Sequence, residues 1–104
     1  MIQQSLLSLL DDYRTGIQDP TTLLPILLET ARSDQHKCWI SLIDDAQLAG
    51  YLKKLAGESP DSLPLYGIPF AVKDNIDLQG LPTTAACPAF SYAPTESATV
   101  VQLL

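Results

Sequence analysis

Histidine is almost missing from this 104-residue sequence, tryptophan and methionine occur once each, and cysteine only twice. With His36 as the single histidine, a zinc site would lack its usual nitrogen ligands. Cys38 and Cys87 stand far apart, with no CxxC or Cys/His spacing around either, so no metal site is expected. Two cysteines without a secretory leader fit reduced thiols in a cytoplasmic protein. Basic residues are also scarce: six Lys and Arg stand against twelve Asp and Glu, a net charge of −6. That balance repels a phosphate backbone, and no local basic cluster offsets it, which argues against nucleic acid as a partner. Long hydrophobic runs are missing too. The first residues have neither a basic flank nor a small-residue cleavage site, and Asp11 and Asp12 interrupt them before a membrane span could be completed. What is present in quantity is apolar side chain, 46% of residues, enough for a core and too much for a disordered chain.

The apolar residues are spaced helically at first. Ile2, Leu6, Leu9, Leu10, Tyr13 and Ile17 form one stripe, which Gly16 is expected to end or loosen. After a turn at Asp19-Pro20, Thr21 or Thr22 is expected to cap a second helix with Pro25 in its first turn and Leu24, Leu27, Leu28 and Ala31 facing the core. Ser33-Asp34-Gln35 stops it. Residues 38–43 are a short apolar run, read as a strand. Asp44 or Asp45 then caps a third helix with Leu48, Leu52 and Leu55 on one face and Gly57 as its stop.

Past the turn-formers of residues 58–64 the pattern changes. Residues 67–72 are apolar on both alternations, as in a strand covered on both faces, with Pro69 tolerable near its start. Residues 77–95, with Gly80 and three prolines, read as one long loop, either functional or disordered. From Thr95 a helix is expected, with Val100, Val101 and Leu104 apolar. The order of elements predicts an α/β fold whose sheet is incomplete. Residues 1–57 form a helical segment with one strand, and residues 58–104 the start of a core, together a fragment of one domain. The closing Val100-Val101-Gln102-Leu103-Leu104, without a cap, is expected to reflect truncation, and open sheet edges make self-association of the chain an expectation.

Lys73 is the residue to single out. It follows a buried strand directly, where α/β proteins place their sites. On position alone it is either a strand-end lysine extended into solvent or a lysine desolvated by the sheet so that it acts as a base. Asp74 and Asn75 either orient it or form a strand-end turn. Thr83, Thr84 and Cys87 should border the site as structural residues. Cys87 has no histidine partner, and Ser91 and Ser97 are not in a nucleophile-elbow setting, Ser97 being read as a first-turn helix residue. Trp39 is read as core.

Gly67-Ile68-Pro69-Phe70-Ala71-Val72-Lys73-Asp74-Asn75 resembles the segment that carries the catalytic lysine of amidase-signature enzymes. Leu81-Pro82-Thr83-Thr84-Ala85-Ala86-Cys87-Pro88-Ala89-Phe90 is similar to the allophanate-hydrolase branch, whereas most other members place a Gly-Ser pair near Ala86-Cys87. Ser97-Ala98-Thr99-Val100-Val101 resembles the helix leading to that family's next strand. The resemblance implies the first helices and strands of the amidase-signature fold, with a mixed sheet. It implies a Ser-cisSer-Lys triad in which Lys73 is the base, Asp74, Asn75, Thr83 and Thr84 are supporting residues, and both serines lie outside these residues. It further implies no cofactor, allophanate as substrate, ammonia and carbon dioxide as products, and a functional link to a biotin-dependent urea carboxylase. Another amidase of the same family is the alternative, and a non-catalytic binding module is the reading from a different class.

Overall fold

The computed structural model describes residues 4–104, and Ile2, expected in the first helical stripe, lies outside them. Helix α1 runs Leu6–Thr15. The Ser5 hydroxyl accepts from the Ser8 amide at 3.1 Å, and Gly16 ends the helix at φ 77, a left-handed position suited to glycine. Helix α2 runs Pro20–Arg32. Its cap is Asp19 rather than Thr21 or Thr22, because the Asp19 carboxylate accepts from the Thr21 amide at 2.8 Å and its hydroxyl at 2.9 Å. Pro20 then occupies the first helical position, where its missing N–H is harmless, and Pro25 falls inside the helix rather than in its first turn. Helix α3 runs Asp45–Leu55 behind a capping box. Asp44 accepts from the Gln47 amide at 2.7 Å, and the Gln47 side-chain oxygen accepts from the Asp44 amide at 2.8 Å. A short helix α4, Thr99–Gln102, follows a single 3-10 turn at Pro88–Phe90.

The core is built by α1 and α2 with the segment leading to Lys73. Leu9, Tyr13 and Leu23 form its centre, and Leu27, Tyr66 and Ile68 pack against it. On α2 the buried residues of the stripe are Leu23 and Leu28, while Leu24, Leu27 and Ala31 are half-buried. Ile17, expected in the first stripe, lies beyond Gly16 and is exposed, as is Leu6. Helix α3 packs on α2, burying Leu48 and half-burying Leu52 and Leu55, and Arg32 reaches Asp45 at 2.7 Å across the pair. That ion pair is exposed and adds little.

The two expected strands are not formed among the described residues. Residues 38–43 and 67–72 are irregular, and the isolated antiparallel bridge between Thr83 and Tyr92 is the ladder contact present there. A strand requires a neighbour that exchanges backbone hydrogen bonds with it, and these two runs exchange none with each other. Cys38–Ser41 and Ala71–Lys73 instead line one cleft together. Trp39, read as core, is exposed there. The helix expected from Thr95 starts only at Thr99. The Ala98 amide donates to the Asp77 carbonyl at 2.9 Å, and the Ser97 hydroxyl accepts from the Gln79 amide at 2.9 Å, so residues 95–98 hold the preceding loop. Ser97 is a loop brace, not a first-turn residue.

Gly67 joins the two halves. It sits at φ 66, its carbonyl accepts from the Tyr13 hydroxyl at 2.9 Å, and a Cβ there would lie 2.8 Å from Pro20 Cγ and 2.9 Å from Tyr13 Cε2. Tyr13 is held edge-on to Tyr66, with ring centroids 5.8 Å apart. Burial, with the nearby Tyr66 and Asp19 charges adding to it, pushes the Tyr13 phenol up to about 12, so it stays a donor at neutral pH. Gly67→Ala is expected to cost about 2 kcal/mol or more in urea unfolding of the chain, since it adds both backbone strain and a clash with the core. Gly50→Ala, in the interior of α3 with open space around the new methyl, should instead gain roughly 0.5–1 kcal/mol. Equal and small effects at the two positions would show that Gly67 is not the joint described.

Candidate functional site

Lys73 projects from the segment that Gly67 and Ile68 dock onto the helices, and its side chain is exposed. It lines a cleft with Trp39, Ile40, Ser41 and Asp74. The burial on both faces expected of its segment is absent among residues 4–104, because no ladder neighbour covers it: Phe70 and Ile76 are exposed on either side. Asn75 is exposed in the turn closed by the Ile76 amide donating to the Lys73 carbonyl at 2.9 Å.

Asp74 does more than close that turn. One carboxylate oxygen accepts from the Thr84 amide at 2.9 Å, and the other accepts from the Ala86 amide at 3.0 Å and from the Thr84 hydroxyl. The Asp74 main-chain carbonyl accepts from the Ala85 amide at 3.0 Å. Three successive N–H groups therefore donate to one residue. The Thr84 hydroxyl first, then the Ala86 and Thr84 amides, hold the Asp74 carboxyl below the usual carboxylate range. Asp77 anchors the far side of the same loop. Its carboxylate accepts from the Tyr92 hydroxyl and from the Thr83 hydroxyl at 2.7 Å, and these two bonds, the tyrosine's first, lower its pKa as well. Thr83 is 2% exposed, a buried hydroxyl with its partner in place. Its backbone pairs with Tyr92, N–H to O at 2.9 Å one way and 3.0 Å the other.

Of the expected supporting residues, Asp74, Thr83 and Thr84 thus fall in one hydrogen-bonded loop beside Lys73, and Asn75 does not join it. Cys87 and Ser91 are exposed, with Ser91 on a second cleft lined by Ile40, Thr84, Ala86 and Pro88. The loop of residues 77–95 is ordered, and two of its holders were not singled out from the sequence. Asp77 is one. Gln47 is the other: its side-chain amide donates to the Gly80 carbonyl at 2.8 Å, tying the loop to the start of α3. The signal for Asp77 was its spacing, three residues after Asp74 and matched by the adjacent pair Thr83-Thr84. For Gln47 there was none.

Among the described residues no group of three or more His, Cys, Asp or Glu is placed to hold a metal ion, and no helix is long and apolar enough to cross a membrane. What the arrangement offers chemically is one amine in a cleft, against a loop held by charge-assisted hydrogen bonds.

Because both carboxyls are lowered on folding, their contribution to loop order is fully present above the unfolded carboxylate value, near 3.9, and is lost as pH falls from there through the folded values. The Thr83, Thr84 and Ala86 amides should be well protected from exchange at neutral pH and released on acidification below about pH 4. Retained protection of all three at lower pH would show that the loop does not depend on these carboxylates.

The family model described as Amidase matches residues 26–104, which include Lys73 and the whole loop. The chain is 52% identical over 84 residues to the urea amidolyase of Lachancea kluyveri, covering 80% of this chain and 5% of that protein. It is 49% identical over 84 residues to the urea amidolyase of Saccharomyces cerevisiae, covering 75% and 5%. Its fold overlays on the Kluyveromyces lactis allophanate hydrolase structure with a TM-score of 0.80 at 41% identity, covering 99% of this chain and 17% of that one. The chain therefore spans a small part of the proteins it matches. With a family match over most of its length and the lysine-bearing segment inside it, the chain belongs to the amidase family.

Proposed function

We propose that this chain supplies the amino-terminal part of an allophanate hydrolase and that Lys73 is the base of its Ser-cisSer-Lys triad. The observation that carries the reading is the 41% identity to an allophanate hydrolase over 99% of this chain, with Lys73 in a cleft beside an ordered loop. In the reaction, Lys73 takes the proton of one serine, which activates a second. That serine attacks the terminal amide carbonyl of allophanate and expels one ammonia. Water then releases the acyl group, which still carries the second nitrogen and breaks down to a second ammonia and two carbon dioxide molecules. Neither serine belongs to these residues, nor do the donors that would stabilise the oxyanion. Asp74, Thr83 and Thr84 support the lysine by ordering the loop, and Asn75 lies in the turn that follows it. Residues 1–57 and 58–104 act as parts of one domain, a reading supported by the Tyr13–Gly67 and Gln47–Gly80 bonds between them.

The sheet belongs to this proposal as well: residues 38–43 and 67–72 become strands of a mixed sheet when the rest of the enzyme supplies their neighbours. Their unpaired backbone and the exposed Ile40 and Phe70 support that reading, and the same exposed edges would let the isolated chain self-associate. Allophanate would come from a biotin-dependent urea carboxylase in the same compartment, the cytoplasm. The relatives named urea amidolyase support that link.

The test is a chimera in which residues 1–104 replace the matched segment of the Kluyveromyces lactis enzyme. It should release ammonia from allophanate, and Lys73→Ala should lower turnover by about a hundred- to ten-thousandfold with the fold kept. A variant retaining more than about a tenth of its turnover would make Lys73 an ordinary surface lysine. The chain by itself should release no ammonia between about pH 6 and pH 10, since deprotonating a base activates nothing when the nucleophile is missing. Release above the blank that vanishes in Lys73→Ala would require a nucleophile among Thr83, Thr84, Cys87, Ser91 and Ser97, and would overturn the division of the triad.

A further inference from the structure

Ala85 and Ala86 stand at φ 49 and φ 57, two successive non-glycine residues in the left-handed region. The Cys87 amide closes the turn on the Thr84 carbonyl at 2.8 Å. Turns with both central residues left-handed are normally built from Asn and Gly, because a Cβ disfavours that backbone. Alanine offers no side-chain hydrogen bond in return. Something outside the turn must hold it, and the bonds identify it: the Thr84, Ala85 and Ala86 amides all donate to Asp74, two to its carboxylate and one to its carbonyl. Asp74 is the residue bonded to Lys73. On one side Asp74 lines the Lys73 cleft, and on the other Thr84 and Ala86 line the second cleft, the two meeting at Ile40. Strain held against an outside anchor next to a reactive group is the usual mark of a conformation kept for its geometry.

We propose that Asp74 is a positioning residue, which fixes the backbone at Lys73 by clamping the strained Thr84–Ala86 turn. The proposal rests on the reading of Lys73 as the base. It assigns Asp74 no proton transfer. The clamp works in both directions: the carboxylate keeps the turn left-handed, and the turn's three amides keep the Asp74 peptide, and with it Lys73, from rotating. Glycine at 85 and 86 would adopt the same turn without help, so the carboxylate becomes dispensable when the strain is removed.

The experiment uses the chimeric enzyme and the chain itself. Asp74→Asn removes the acceptor for the Ala86 amide, and it should lower kcat by about tenfold to a hundredfold with KM changed less than about threefold. Adding Ala85→Gly and Ala86→Gly to Asp74→Asn should return most of that loss, which neither a proton-transferring Asp74 nor a purely stabilising one would allow. In the 104-residue chain, protection of the Ala85 amide should fall at least about tenfold in Asp74→Asn and recover at the same position in the glycine-bearing variant. Unchanged Ala85 protection in Asp74→Asn overturns the clamp whatever the activity, and so does a kcat loss that the glycines leave in place. Activity surviving Lys73→Ala while Ala85 protection behaves as expected would instead sink the base reading and leave the clamp as fact. If Asp74→Asn does not fold, Thr84→Val removes one donor and spares the carboxylate. A several-fold fall in kcat with KM unchanged then supports the proposal, and an unchanged kcat overturns it.

Discussion

The backbone of residues 73–98 is held by turn-closing backbone bonds and by a few side chains. Among those side chains the Asp74 carboxylate, which accepts from the Thr84 and Ala86 amides, ties the loop back to the residue after Lys73. A polar backbone needs partners wherever it leaves bulk water, and sheets normally supply them wholesale. Here the ladder is reduced to the pairing of Thr83 with Tyr92. Backbone-closed turns hold part of the remainder, and Asp74, Asp77, Ser97 and Gln47 fasten further points of the loop. Charged acceptors suit this task, since a bond from a neutral N–H to a carboxylate is roughly twice as strong as a neutral pair.

The helical half serves that loop from a distance. Helices α1 and α2 make the small core, and their contribution to the site passes through Gly67, where the chain presses so closely on Tyr13 and Pro20 that no side chain fits. Five residues, 68–72, separate this joint from Lys73. Helix α3 contributes through Gln47 alone, which closes its own capping box with one end of its amide and grips Gly80 with the other. One side chain thus sets both a helix start and a loop position, which sequence spacing shows for the first and conceals for the second.

That difference describes what was legible in the sequence at large. Local features were readable because their causes are local: the left-handed stop at Gly16, the cap at Asp44 and the stripe of Leu9, Leu10 and Tyr13 each follow from residues within one or two turns. The α2 cap, expected at Thr21 or Thr22, falls two or three residues earlier because Asp19 and the threonines compete for one role, and Pro20, which favours the first helical position, decides it. The strands are not formed among residues 4–104 for a physical reason: an apolar run records what a segment would bury, while a strand exists only with its neighbour. Residues 38–43 and 67–72 carry the first property without the second. At the site, the motif located Lys73 and the hydroxyls of Thr83 and Thr84, but the strained pair Ala85-Ala86 has no sequence signature, since positive φ is signalled by Gly, Asn or Asp and not by alanine.

Exposure of Lys73 is the point at which fold and chemistry meet. A lysine works as a base when desolvation favours its neutral form, and residues 4–104 leave its side chain in solvent. The same residues do hold its backbone: Gly67 anchors the approach, the Ile76 amide closes the turn after it, and Asp74 ties its neighbour to three amides. Position and activation are therefore separable. Local hydrogen bonds determine where Lys73 sits, and they are complete within this chain. On the reading proposed above, its activation would require a dry surface over Ile40, Phe70 and Ile76, all exposed here, and the chain covers 17% of the allophanate hydrolase that it resembles. On that reading, a base assembled in this order is aimed before it is switched on.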